Sequence, residues 1–472
     1  MKKESRKKYL LKNTIIFAIG NFGSKIISFF LVPLYTNVLT TADYGTVDLM
    51  TILTTILIPI ITLNVSEAVM RFSMDKDSKK ENIFAIGIVF SIIASAISLI
   101  CIPIFKIYSV TSQYSILLAL YILSCSTSTI LLSYIRGIEK LLAYSIINII
   151  QTAIIAILNV LLLTKYKMGI SGYILAYMIS YSVTIILCLA CSNIELTMKK
   201  VKLDKKLLKD MLRYSILLIP NSLMWWIINS LDKVMISSMI NIAANGIYAV
   251  SYKIPTIVTT CTTIFSNAWT FSAVKEKDSA DKSEYTNKVF QSLSILVFTI
   301  TVFLILILKP LLKIYVGKEF YNAWIYVPPL LIGSTMLTFS SFANNEYAVQ
   351  KDSKGILIAS IIGAITNLIL NLILIPKLKI FGAAIATCIS YVVVFIYKVL
   401  DTRKYIEIKY ITKKSIVNYI LLLLSCIFIY LNGFISFILL LILFVLILLY
   451  NKDFWVTIFK KIGNKIVNKL RS

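Results

Sequence analysis

Few residues in this sequence are equipped for chemistry, and they sit where charge is expensive. Lys25 follows Asn21 and Ser24 inside one long apolar run, and Lys253 stands between Tyr252 and Pro255 in another. Hydrocarbon does not solvate an ionised group, so such a residue must face a partner or a watery cavity. The two lysines are therefore candidate cationic contacts for an anionic ligand, with Asn21 as a polar companion to the first. Asp232 follows Trp225, Trp226 and Asn229 at what reads as the end of a helix, where it either caps that helix with Lys233 or faces a cavity. Glu346, beside Asn344 and Asn345, is either a buried carboxylate able to respond to protons or a residue at the headgroup level. Glu67 and Arg71 are four residues apart, so they share a helix face, where they pair with each other or take part in gating.

Much other chemistry is excluded. The chain has no histidine, which removes His-assisted nucleophilic catalysis and His metal sites, and it shows no Walker-type phosphate loop or nucleophile elbow. The 7 cysteines fall in or beside apolar runs without metal-ligand spacing. The net charge of +26 does not read as a nucleic-acid surface, because Lys and Arg punctuate apolar blocks instead of gathering on one solvated domain. They read instead as topology signals and contacts for anionic lipid. The sequence therefore points away from an enzyme and requires no cofactor, although a proton or sodium gradient remains open as a driving force.

The elements that position these residues follow from hydropathy. The 472-residue chain is 58% hydrophobic with mean hydropathy +0.85, beyond what a soluble domain carries. Its apolar blocks of roughly 18–24 residues match the length of a membrane-crossing helix. About fourteen such helices are predicted, near 14–36, 46–70, 83–105, 114–135, 141–164, 170–191, 212–232, 246–271, 288–308, 323–348, 355–376, 381–398, 416–432 and 434–450. The basic run before the first, from Lys2 to Lys12, marks it as a membrane helix and not a removed signal peptide. About 37 Lys and Arg fall on the N-terminal side of the alternating connections against about 9 on the other, which places both termini in the cytoplasm.

A domain plan follows. Residues 1–195 form one six-helix bundle, 196–213 a basic cytoplasmic linker, 214–400 a second six-helix bundle, 401–450 two further helices and 451–472 a basic amphipathic tail. In that tail Trp455, Ile458, Phe459, Ile462, Ile466 and Leu470 oppose Lys460, Lys461, Lys465 and Lys469, a pattern suited to the membrane surface. Thr41 to Gly45 after the first helix and Ala243 to Gly246 after the seventh occupy comparable places, the trace of a parallel repeat. Pro59, Pro220 and Pro255 within apolar blocks predict bends.

Asp43, Tyr44 and Gly45; Glu67, Ala68 and Arg71; Asp232; Gly246, Ile247 and Tyr248; and Asn267, Ala268 and Trp269 together resemble the Wzx-type oligosaccharide flippases. These are polysaccharide biosynthesis proteins of the multidrug, oligosaccharidyl-lipid and polysaccharide exporter superfamily. The resemblance implies an all-α multi-pass protein of the bacterial cytoplasmic membrane, with two six-helix bundles arranged in a V that opens alternately to each side. It implies a cargo of undecaprenyl-pyrophosphate-linked oligosaccharide repeat units, moved outward for capsule, O-antigen or exopolysaccharide, and a polymerase and chain-length regulator of the same pathway as partners. Related precursor flippases carry cations in helices one and eight, which matches Lys25 and Lys253. The alternatives are a drug or cation exporter of the same superfamily, which would want buried carboxylates and aromatics more than buried lysines, and a membrane polysaccharide polymerase, which would want a large outward loop.

Overall fold

The computed structural model describes residues 23–75, 78–192, 204–275, 281–350, 352–457 and 460. Asn21, the linker lysines Lys199, Lys200 and Lys202, and most of the amphipathic tail, Lys461 and Lys465 among them, lie outside the described residues. Every regular element among them is helical. Among the described residues, ten helices are long and apolar enough to cross a membrane. The chain divides into two compact units, Met1–Gly246 and Ile247–Ser472.

The first unit begins with α1 (23–38), followed by α2 (Thr41–Ile61) and α3 (Val65–Ser73). A capping box starts α2 at Thr40: its hydroxyl accepts from the Asp43 N–H and the Asp43 carboxylate accepts from the Thr40 N–H. That cap sets the start five residues ahead of the expected 46, which brings Asp43 into the helix. Pro59 removes a backbone donor, and the helix breaks just beyond it, where Leu63 and Asn64 take positive φ. The unit continues with α4 (Lys80–Ile100), α5 (Ser115–Gly137), α6 (Leu141–Val160) and α7 (Gly169–Cys191). One core joins Val65 and Val69 of α3 to Ile83 and Ile86 of α4 and to Ile130 and Ile135 of α5. A second joins Val47 and Met50 of α2 to Leu118 and Ile122 of α5 and to Ile174 of α7.

The end of the basic linker is itself structured. α8 (Lys205–Ile216), capped by Asp204, seats Met211 fully buried in the first of those cores, with its charged side outward. Pro220 stands in the first turn of α9 (Ile219–Met239), a position that tolerates the missing N–H. The seventh membrane helix was expected to close at Asp232. It runs on to Met239, so Asp232 is interior and not a terminal cap. α10 begins at Ile242, with the Asn241 side chain accepting from the Ala244 N–H, and ends at Ser251.

The second unit takes up the second half of α10 and continues with α11 (Pro255–Lys275), α12 (Lys282–Tyr315), α13 (Val327–Gln350) and α14 (Ser353–Thr402). The break between α10 and α11 falls before Pro255, as its missing donor requires. α14 contains both segments expected at 355–376 and 381–398, joined across Lys379 (φ 53, ψ −133) just after Pro376. α15 (Lys413–Phe428) and α16 (Gly433–Tyr450) complete it. Its core is aromatic: Phe290 and Phe298 of α12 meet Phe339 of α13, which also meets Phe395 of α14 and Tyr419 of α15. Phe434 is 74% exposed and Ile435 67% exposed on α16, a surface suited to lipid.

Candidate functional site

In the first unit, the two segments that the sequence pairs as a repeat touch each other. Gly45 and Gly246 are each four residues into their helices, and they face one another across the start of α2 and α10. A Cβ on Gly45 would overlap the Ile242 carbonyl oxygen, and a Cβ on Gly246 would overlap that of Thr41. The relation is reciprocal, because Thr41 precedes Gly45 by four residues as Ile242 precedes Gly246. A local two-fold axis therefore passes between two glycines, and only glycine permits this backbone approach.

Polar groups stitch the crossing. The Asn245 amide, on a fully buried residue, donates to the Gly45 carbonyl at 3.0 Å and to Asp48 Oδ2 at 3.4 Å. The other carboxylate oxygen of Asp48 takes an ion pair from Lys233 Nζ at 3.1 Å, with both side chains about one-seventh exposed (14% and 15%). Lower on the same pair of helices, the Trp226 indole donates to the Ile52 carbonyl at 3.1 Å. Beyond the break, the Asn64 amide reaches Ser222 Oγ at 3.4 Å. Each end of the α2–α9 seam is thus held by a side chain of one helix reaching the other. Asp48 escaped the sequence reading although it stands inside an apolar helix. The rule that singled out Lys25 applies to it equally.

The predicted residues are dispersed. Lys25 is exposed on α1, one residue beyond Ser24, whose hydroxyl donates to the Asn148 carbonyl of α6 at 3.4 Å. Lys253 is half-buried in the break between α10 and α11. Neither lysine has an ion-pair partner among the described residues. Asp232 is fully buried and its Oδ1 accepts the Lys233 backbone N–H at 2.9 Å, so the expected Asp232–Lys233 side-chain cap is replaced by Lys233 reaching Asp48. Glu67 is exposed. The Arg71 guanidinium pairs with Asp75 at 2.6 Å and not with Glu67, because Asp75 lies one turn on, past the helix end.

Glu346 is buried to 1% exposure in the second unit and takes an ion pair from Lys282 at 2.9 Å, its other oxygen lacking a hydrogen bond. Beside it, Lys398, 6% exposed, donates to Asn344 Oδ1 at 2.7 Å, and Tyr347 donates to Asp401 at 2.8 Å. In the connection between α13 and α14, Asp352 accepts from Tyr405, from the Gly355 N–H and from Lys404. These donors, the Tyr405 hydroxyl foremost, hold its carboxyl down at about 2. A further buried network runs from Asn371 to Asn367 at 2.9 Å and on to Thr387 at 3.4 Å. Among the described residues no three of Cys, Asp and Glu gather as a metal site.

The described residues form a helical fold with spans long and apolar enough to cross a membrane, and its two repeat segments meet at paired glycines. The polysaccharide biosynthesis protein family model matches residues 10–269, and the chain belongs to that family. Over 130 residues it is 30% identical to an uncharacterized membrane protein of Methanocaldococcus jannaschii, a stretch covering 27% of this chain and 25% of that one. The chain therefore spans about a quarter of the length of the curated relative it matches. The fold is similar to that of the lipid II flippase MurJ in an inward closed conformation, with TM-score 0.68 and 16% identity over 94% of this chain and 100% of that one. It is also similar to an inward-facing multidrug resistance MATE family transporter of the MOP superfamily, with TM-score 0.67 and 14% identity over 82% of this chain and 94% of that one.

Proposed function

We propose that this chain is a flippase that carries polyprenyl-pyrophosphate-linked oligosaccharide repeat units from the inner to the outer leaflet of a bacterial cytoplasmic membrane by alternating access. Such cargo supplies capsule, O-antigen or related surface polymers. The observation that carries this reading is the reciprocal glycine crossing of α2 and α10, sealed by Asp48, Lys233 and Asn245. A transporter that opens alternately needs an end that seals without deep interdigitation. Backbone resting on backbone meets that need, since parting the helices at this end breaks one ion pair and the two hydrogen bonds donated by the Asn245 amide and unpacks few side chains. With both termini in the cytoplasm, α2 begins on the outer side, and the crossing closes that end.

The chemistry of the cargo fits the cations. A pyrophosphate must shed water to pass the membrane core, and a lysine ammonium in a polar environment replaces part of that hydration as a point charge. Lys25 and Lys253, neither neutralised by a carboxylate among the described residues, suit that role. The test is surface-polymer production in a bacterium lacking its own copy, comparing wild type with Lys25→Ala and Lys253→Ala at matched abundance. The reading predicts loss of polymer with lipid-linked repeat units accumulating inside. Normal polymer from both variants removes the lysines from the mechanism.

A further inference from the structure

One face of α7 carries Tyr173, Tyr177 and Tyr181, each four residues after the last, so their rings stand in a row roughly 12 Å long at about 1.5 Å of rise per residue. Tyr173 and Tyr177 are stacked with centroids 4.7 Å apart, and Tyr177 and Tyr181 are 6.3 Å apart. Three other helices extend the row. Tyr35 of α1 lies 5.1 Å from Tyr173, Tyr44 of α2 lies 6.3 Å from Tyr35, and Tyr121 of α5 lies 6.1 Å from Tyr177 and 5.8 Å from Tyr181. All six belong to the first unit.

Two ordinary explanations fail. An aromatic belt is confined to headgroup depth, whereas this row descends along α7 for two turns and more. A packing role would be met by phenylalanine, which spares a buried hydroxyl its loss of water. The chain has 24 Phe and 27 Tyr, so composition does not force all six positions to be tyrosine. Rings and hydroxyls are both wanted. The three α7 tyrosines are partly buried, whereas Tyr35, Tyr44 and Tyr121 behind them are 5% exposed.

We propose that Tyr173, Tyr177 and Tyr181, backed by the buried Tyr35, Tyr44 and Tyr121, form the surface that recognises the sugar rings of the cargo, an inference that rests on the flippase reading. A pyranose presents an apolar C–H face that lies against a ring and a rim of hydroxyls that exchange hydrogen bonds with phenols. The row contains no charged side chain, and Asp48, on the helix that carries Tyr44, is occupied by Lys233 and Asn245. An organic cation binds to ring faces as well, so the dye arm of the experiment below separates the two cargoes. The row offers no cation to a pyrophosphate, which is held elsewhere.

The experiment measures binding to the purified full chain of two probes: a short-chain polyprenyl pyrophosphate bearing a tetrasaccharide, and the same lipid without sugar. Tyr173→Ala combined with Tyr177→Ala is expected to weaken the saccharide-bearing probe about tenfold and to leave the sugar-free probe unchanged. Tyr177→Phe preserves the stack and is expected to lose a few-fold on the saccharide-bearing probe alone. Equal losses on both probes, or wild-type affinity for both in the two variants, would overturn the assignment. So would row-dependent binding of a cationic dye in place of saccharide. Wild-type protein that binds neither lipid overturns the flippase reading itself, and the assignment with it.

Discussion

Replacing Gly45 with alanine inserts one methyl group between two backbones. That methyl would sit well inside 3.0 Å of the Ile242 carbonyl oxygen, while ordinary contact begins at 3.4 Å, so the helices must part by about 1 Å, a large shift for a close-packed seam. Overpacking of this kind costs about 1–3 kcal/mol, and at about 1.4 kcal/mol per tenfold the sealed state loses a factor of about 5 to about 150 in population. The same separation lengthens the Asn245–Gly45 bond and the Asp48–Lys233 pair. Gly246→Ala is expected to act alike, because its methyl meets Thr41 in the mirror arrangement. The double variant is expected to cost less than the sum, since the first methyl already parts the helices. The readout is a single cysteine at Ala244, 6% exposed, in a background without the native cysteines, labelled by a membrane-impermeant maleimide. Labelling should quicken about tenfold or more in either glycine variant, with cargo movement falling in parallel. Wild-type labelling and transport in both variants would refute the crossing as a reversible seal.

Three further outcomes are expected. Asp48→Ala and Lys233→Ala should each impair transport by about tenfold or more, and the exchange of the two charges should recover part of it; a charge exchange no better than either single change would show that the pair is incidental. Lys282→Ala should lower the melting temperature more than Glu346→Gln does, because the first leaves a carboxylate that is 1% exposed without its partner, while Lys282 itself is 14% exposed and reaches water. The double variant should lie above Lys282→Ala alone, and thermal unfolding in detergent reports the order. Asp352 binds no proton in the folded chain until the pH nears 2, below its ordinary 3.8, so its contribution to stability is complete above about 4 and is lost as the pH falls through 2. Tyr405→Phe should move the acid unfolding midpoint upward, and an unchanged midpoint would exclude this cluster from acid stability.

The fold was legible because membrane helices announce themselves by length and hydropathy, and the family by short motifs whose spacing survives. Boundaries were less legible. α2 starts at Thr41 and not near 46 because Thr40 and Asp43 form a capping box within a polar stretch that hydropathy reads as loop. α9 runs past Asp232 because Lys233 is neutralised by Asp48 and the helix need not end at the charge. The site was half legible. The repeat Thr41–Gly45 and Ala243–Gly246 was visible, but that the two copies touch through their glycines is a tertiary fact that spacing does not encode. Asp48 and Lys398 were overlooked because each falls near a predicted helix end, where charges are unremarkable. Their burial in partners shows that they lie deeper than hydropathy suggests.

The most direct test of the flippase account is translocation by the purified chain in proteoliposomes, using a fluorescent polyprenyl-pyrophosphate-linked oligosaccharide initially confined to one leaflet. The account predicts time-dependent appearance of the saccharide on the opposite leaflet with wild type, and its near absence with Gly45→Ala. Wild-type vesicles that leave the saccharide in place while moving a cationic dye would contradict it.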